Sequence, residues 1–178
     1  MQVFILIYHK KNDILYLCGR EVVKKMLVYH GSGMIVQYPE IRVNKFTKDF
    51  GWGFYCTKNI HQAARWARRH NKKSETPLVN YYEYLSNSSL MIKTFPEMTE
   101  EWLDFIVSCR SGETHPYDIV EGPMADDQIW TYIEDYIAKR ISRAAFWELA
   151  KFQKPTHQVS FHTVNALLCL NFIKAEEV

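Results

Sequence analysis

The sequence predicts an α+β domain. Three observations predict it. The 178 residues, 47% apolar and 24% charged, have the make-up and length of one globular core. Short runs rich in Tyr and branched residues stand beside segments whose apolar residues recur at helical spacing. The two kinds mix without the regular strand–helix–strand rhythm of a doubly wound sheet.

Residues 1–25 read as an N-terminal extension of uncertain role, and residues 26–178 as the domain. The extension is made of short apolar pieces broken by His9-Lys10-Lys11 and Lys24-Lys25. Its apolar run, Val3 to Tyr8, is too short to span a membrane and lacks the layout of a signal peptide. The four cysteines, Cys18, Cys56, Cys109 and Cys169, have neither metal-ligand nor redox spacing. These features lead us to expect a soluble, cytoplasmic protein with no membrane partner. The net charge of +2 is too mild to argue for nucleic-acid binding.

In chain order, Leu27 to His30 reads as a strand ending at Gly31, and Asp49 to Thr57 carries Gly51 and Gly53 on either side of Trp52. Lys58 to Lys72 is expected to be helical, with Ile60, Ala63, Ala64 and Ala67 on its buried stripe. Val79 to Leu85 and Leu90 to Phe95 read as strands. Thr99 caps a helix through Cys109, with Glu100 and Glu101 in its first turn. Tyr117 to Val120 is a strand closed by Gly122-Pro123. Asp126 and Asp127 head a helix with Ile129, Ile133, Tyr136 and Ile137 inward. Ser142 caps another, with Phe146, Leu149 and Ala150 inward. Gln158 to His162 is a late strand, and Val164 to Ile173 a closing helix.

Four features can carry chemistry. His30, followed by Gly31 and Ser32 at a strand end, can place an imidazole at a cleft while the glycine backbone approaches a ligand. In Lys48-Asp49-Phe50-Gly51-Trp52-Gly53-Phe54-Tyr55-Cys56-Thr57, the strand after the two glycines must send Phe54 and Tyr55 to opposite faces. Trp66 sits roughly 110° from the centre of its helix's buried stripe, at the edge where a ring plugs a gap or meets a ligand. Gln158 offers a donor and an acceptor at the start of a strand. Arg65, Arg68, Arg69, His70, Lys72 and Lys73 form a dense basic stretch, a solvated helix end or a surface for phosphates or an acidic partner. Cys56 with His30 or His162 lacks a thiol-enzyme signature. His157, His162, Asp126 and Asp127 lack metal-ligand spacing, and no glycine-rich phosphate loop occurs.

Taken together, these residues resemble the ADP-ribosyltransferases of the diphtheria-toxin and poly(ADP-ribose) polymerase type. His30-Gly31-Ser32 matches their H-G-[ST] motif, and Gly51-Trp52-Gly53-Phe54-Tyr55 their G-x-G-[IF]-Y stretch. Trp66 stands where a second aromatic follows, and Gln158 opens a strand that in those enzymes opens with Glu. More closely, the chain from about Met26 to Ile173 resembles an uncharacterised bacterial family with the patterns K-D-F-G-x-G-F-Y-x-T (Lys48 to Thr57), Y-D-I-V-x-G-P-x-A-D-D (Tyr117 to Asp127) and Q-[IV]-x-F-H-T (Gln158 to Thr163).

The resemblance implies two small packed sheets, antiparallel or mixed, around an NAD cleft with flanking helices. It implies NAD⁺ as co-substrate, bound by His30, Gly31, Ser32, Gly53, Phe54, Tyr55 and Trp66. His30, Tyr55 and Gln158 would be the catalytic set. His30 would bond the adenosine-side ribose, Tyr55 and Trp66 would sandwich the nicotinamide, and Gln158 would hold a ribose hydroxyl. Gln158 cannot take a proton, which favours mono-ADP-ribosylation of an unidentified macromolecule, with Asp126, Asp127 or the substrate as base. A toxin or defence role with a small antitoxin or accessory partner is implied as well. An NAD glycohydrolase and a non-catalytic NAD or ADP-ribose binder are the alternatives.

Overall fold

The computed structural model describes residues 4–10, 13–18, 21–43, 48–70, 76–153 and 155–178. They form an α+β fold of two sheets and five helices. The first sheet is built on three antiparallel strands: β3 (Glu21–Ser32), β5 (Leu78–Leu85) and β9 (Leu170–Glu177). A hairpin of β1 (Phe4–Lys10) and β2 (Asp13–Cys18) extends it beyond β3. The second sheet is mixed, in the order β4 (Phe54–Cys56), β8 (His157–Phe161), β7 (Ile119–Pro123), β6 (Ile92–Thr94). Its one parallel pair, β6 with β7, is joined by a crossover carrying α2 (Glu100–Arg110), as parallel neighbours require.

Period-two alternation assigns the faces. Met26 and Val28 of β3, Tyr82 and Tyr84 of β5, Phe54 and Cys56 of β4, and Val159 and Phe161 of β8 meet in one core between the sheets. The opposite face of the first sheet, through Tyr29 and Val79, receives Ala63 of α1 (Ile60–His70). Ala67 of the same helix is 2% exposed. The opposite face of the second sheet is covered by α2, α3 (Asp127–Ile137) and α4 (Arg143–Ala150). There Trp102, Leu103, Ile106, Ile129, Ile133 and Phe146 are fully buried. The layers therefore run helix, sheet, sheet, helices, and the two sheets are tied by a bridge in which Tyr29 and Thr57 exchange backbone bonds.

Caps fall where the side-chain chemistry placed them. Thr99, Asp126 and Ser142 accept from Trp102, Ile129 and Ala145 N–H groups at the starts of α2, α3 and α4. The helix expected from Lys58 to Lys72 is seen over Ile60–His70, residues 71 and 72 lying outside the described residues. Lys73 of the basic stretch lies outside them too. Ile137 and Leu149, expected inward, are 40% and 43% exposed in the terminal turns of α3 and α4.

The expectation of a closing helix is corrected. The closing helix stops after one turn, α5 (Val164–Leu167), and Leu170–Glu177 is strand β9. The edge of β5 decides this, because its open backbone groups are satisfied by β9 and Phe172 packs edge-on against Tyr82. β3 runs from Glu21 through Ser32, and Lys25 pairs with Glu83 of β5. Among the described residues no helix is long and apolar enough to cross a membrane.

Gly31 sets the distance between α1 and β3. A Cβ there would lie 2.2 Å from the Ala63 carbonyl oxygen, a backbone atom that cannot turn aside. Gly31→Ala is expected to cost about 1–3 kcal/mol by overpacking, read as a lowered midpoint in urea unfolding.

Candidate functional site

A cleft of about 790 Å³ opens between α1 and the end of the second sheet, within the usual range of roughly 300–1,000 Å³ for small-molecule sites. Four separate segments carry the site residues expected from sequence to its wall: His30 from β3, Tyr55 from β4, Trp66 from α1 and Gln158 from β8. Gly31 lines it as well. Ser32, Gly53 and Phe54 do not reach the cleft. Ser32 accepts from the Met34 N–H, Gly53 lies against Phe161 and His162, and Phe54 is in the core between the sheets. The close backbone approach expected of Gly31 is made to α1.

The alternation of β4 explains how Tyr55 arrives. Phe54 and Cys56 point between the sheets, so Tyr55 points to the opposite face. Register pairs Tyr55 with Ser160, which places Gln158 on the same face of the second sheet. The loop before β4 turns at Gly51, whose φ of +83° lies in the left-handed region that side chains resist. It then folds back on the tyrosine: the Tyr55 hydroxyl donates to the Gly51 carbonyl at 2.7 Å and accepts from the Phe50 N–H at 3.1 Å. Fully buried Phe50 anchors this loop among the helices. Burial and then the Asp49 charge hold the Tyr55 phenol well above its ordinary pKa, so it stays a neutral donor. The Lys48 ammonium lies 4.6 Å from the centre of the Tyr55 ring, a cation–π contact.

His30 Nδ1 is 2.8 Å from the Tyr55 carbonyl oxygen. A carbonyl only accepts, so Nδ1 carries the proton and Nε2 remains an acceptor. Burial pulls the ring's pKa down to about 4, against a raising contribution from that bond, so it is neutral at physiological pH. Its tilted contact with Phe54, centroids 4.5 Å apart, fixes the ring plane. His162, beneath the site, is built alike. Nδ1 is 2.8 Å from the Trp52 carbonyl, Nε2 is 2.7 Å from the Ser160 hydroxyl, and burial lowers its pKa to about 4.

Sequence reasoning missed the floor of the cleft. Asp49, only 4% exposed, accepts from the Arg110 guanidinium, from the Ala125 N–H at 2.9 Å and from the Gln158 side-chain amide at 2.8 Å. The Arg110 guanidinium in turn lies over the Trp130 ring at 3.7 Å. The only signal in the sequence was the place of Asp49 inside the motif that carries Tyr55. Asp126 and Asp127, weighed as bases, have other engagements: Asp126 caps α3, and Asp127 is paired with Arg69 of α1. Both still line the cleft, as do Arg65 and Arg69. Cys56, Cys109 and Cys169 are free and buried. Burial raises the Cys56 thiol far above its ordinary pKa, which leaves it no nucleophile. Among the described residues no three His, Cys, Asp or Glu side chains converge as a metal site.

Fold and cleft together define the class: a two-sheet α+β protein whose pocket lies at the seam of its sheets, walled by aromatic, imidazole and amide side chains. The chain belongs to the family described as "Protein of unknown function (DUF3990)", whose model matches residues 26–172. No curated protein and no solved structure matches it.

Both histidines have a folded pKa below the ordinary value, so the unfolded chain binds more protons between about pH 4 and 6.5. Stability from this source is complete above about pH 6.5 and is lost as pH falls towards 4. Thermal melts are expected to show a declining midpoint over this window. His162→Gln, which cannot titrate there, is expected to make the decline shallower, measured from the variant's own midpoint at neutral pH.

Proposed function

We propose that the protein is an NAD-dependent mono-ADP-ribosyltransferase that breaks the nicotinamide–ribose bond of NAD⁺ in this cleft. It passes ADP-ribose to a macromolecular acceptor, in a toxin or defence setting with a small accessory or antitoxin partner. One observation carries the reading: His30, Tyr55, Trp66 and Gln158, dispersed over the chain, line a single cleft.

The chemistry of each wall suits the task. His30 is neutral, and its Nε2 accepts from a ribose hydroxyl. Tyr55 offers a ring face that already takes a cation, the Lys48 ammonium, and a pyridinium would take its place. Trp66, 45% exposed on the cleft side of α1, supplies a second ring. Arg65 and Arg69 on the same helix offer cations to the diphosphate. Positive charge builds on the ribose as the glycosidic bond breaks, and the Gln158 amide oxygen with the nearby Asp49 charge supplies the compensating field.

Incubation with NAD⁺ is expected to release nicotinamide and to label a macromolecule in lysate when the NAD⁺ carries a tag. Tyr55→Ala is expected to abolish most of that release, and unchanged turnover would remove the assignment. Trp66→Ala, which takes away one stacking partner worth about 0.5–1.5 kcal/mol, is expected to weaken NAD⁺ binding about two- to twelvefold by calorimetry. Free ADP-ribose with no labelled macromolecule would make the protein a glycohydrolase, and binding without release a non-catalytic module. Expression in a bacterial host is expected to arrest growth, with relief by His30→Ala.

A further inference from the structure

Gln158 and Asp49 are 109 positions apart in sequence and in hydrogen-bond contact on the cleft wall. Both are almost completely buried, at 7% and 4% exposure. An ionised carboxylate only accepts hydrogen bonds, so the Gln158 NH₂ must face Asp49. The orientation of the amide is thereby dictated by charge, and Oε1 is left as the acceptor that this side chain turns elsewhere. Asp49 is itself immobilised from two other directions, by Arg110 of α2 and the Ala125 N–H. The other titratable groups that feel its charge are Lys48 beside it, Tyr55 of β4 and Cys109 of α2.

The same geometry bears on which residue can occupy position 158. A glutamate there would bring two carboxylates into contact, and a pair so close cannot both ionise without mutual repulsion. Asp49 and an amide at 158 are compatible at any pH, whereas Asp49 and an acid at 158 are compatible only while one of the two stays protonated.

We propose that Asp49 is the positioning residue of this site: it locks Gln158 with its amide oxygen towards the bound ligand, so that the cleft reads a hydroxyl donor at that point, and it keeps the site's negative charge one residue behind the ligand. The identity of the hydroxyl as a ribose hydroxyl rests on the NAD⁺ reading above; the lock itself does not.

The test compares full-length wild type with Gln158→Glu, Asp49→Asn and the double exchange Asp49→Asn/Gln158→Glu. In thermal melts from about pH 5 to about pH 8, the midpoint of Gln158→Glu is expected to fall further behind wild type as pH rises and both acids are forced to ionise. The double exchange, in which an amide again faces a carboxylate, is expected to lose that pH dependence even where its midpoint is lower throughout. A Gln158→Glu deficit that is flat with pH, or a double exchange with the same slope as the single, would overturn the proposal. Should a variant fail to fold, ¹⁵N spectra of the wild type decide: the Gln158 side-chain amide protons are expected to exchange slowly, and exchange as fast as that of surface glutamines refutes the lock. In nicotinamide release, Asp49→Asn is expected to lower kcat about tenfold or more while KM for NAD⁺ changes much less. If wild type neither binds nor cleaves NAD⁺, the functional reading fails, while the melts and spectra still decide the lock.

Discussion

A carboxylate withdrawn from water has to be paired, and the pairing of Asp49 draws together segments that share no local structure. The carboxylate binds Arg110 at the end of α2, Ala125 at the approach to α3 and Gln158 at the start of β8. Every one of those segments reaches the cleft. Arg110 passes the constraint on by lying over the Trp130 ring. Loss of this one charge would leave a half-buried guanidinium and a half-buried backbone N–H to find other partners, which is why the floor of the cleft behaves as one unit.

A second constraint acts from above. The loop before β4 can turn back only because Gly51 adopts a positive φ, and the turn brings the backbone of Phe50 and Gly51 to the Tyr55 hydroxyl. Tyr55 therefore presents a ring whose polar end is already satisfied, so its face is available for stacking at no hydrogen-bonding cost. The carbonyl of the same residue fixes the tautomer of His30 on the neighbouring sheet. Loop, tyrosine and histidine are thus set by one another, and the bridge between Tyr29 and Thr57 holds the two sheets in the register this requires.

Burial decides protonation throughout the site. Two histidines are kept neutral and one phenol protonated because the charged forms would sit in a medium poorer than water, with no partner able to offset the loss. Charge sits on Asp49, which has its guanidinium, on Lys48 against the Tyr55 ring, and at the rim, where Arg69 and Asp127 join α1 to α3 in solvent. Neutral acceptors inside and cations at the mouth are an arrangement for a ligand with hydroxyls at one place and an anionic group at another.

The sequence by itself determined the local elements and the faces they present. Helix caps at Thr99, Asp126 and Ser142 are chemistry within three residues, and the opposite facing of Phe54 and Tyr55 follows from the pleat of any strand. His30 and Tyr55 were legible through the glycines beside them, whereas Trp66 and Gln158 gained their place only through the family resemblance. Only the tertiary structure decided the rest. Leu170–Glu177 became a strand because β5 had an edge to fill, and Gly31 proved to be a contact point for α1. Asp49 emerged as the partner of Gln158 because a buried charge recruits its ligands through space, where separation along the chain carries no information.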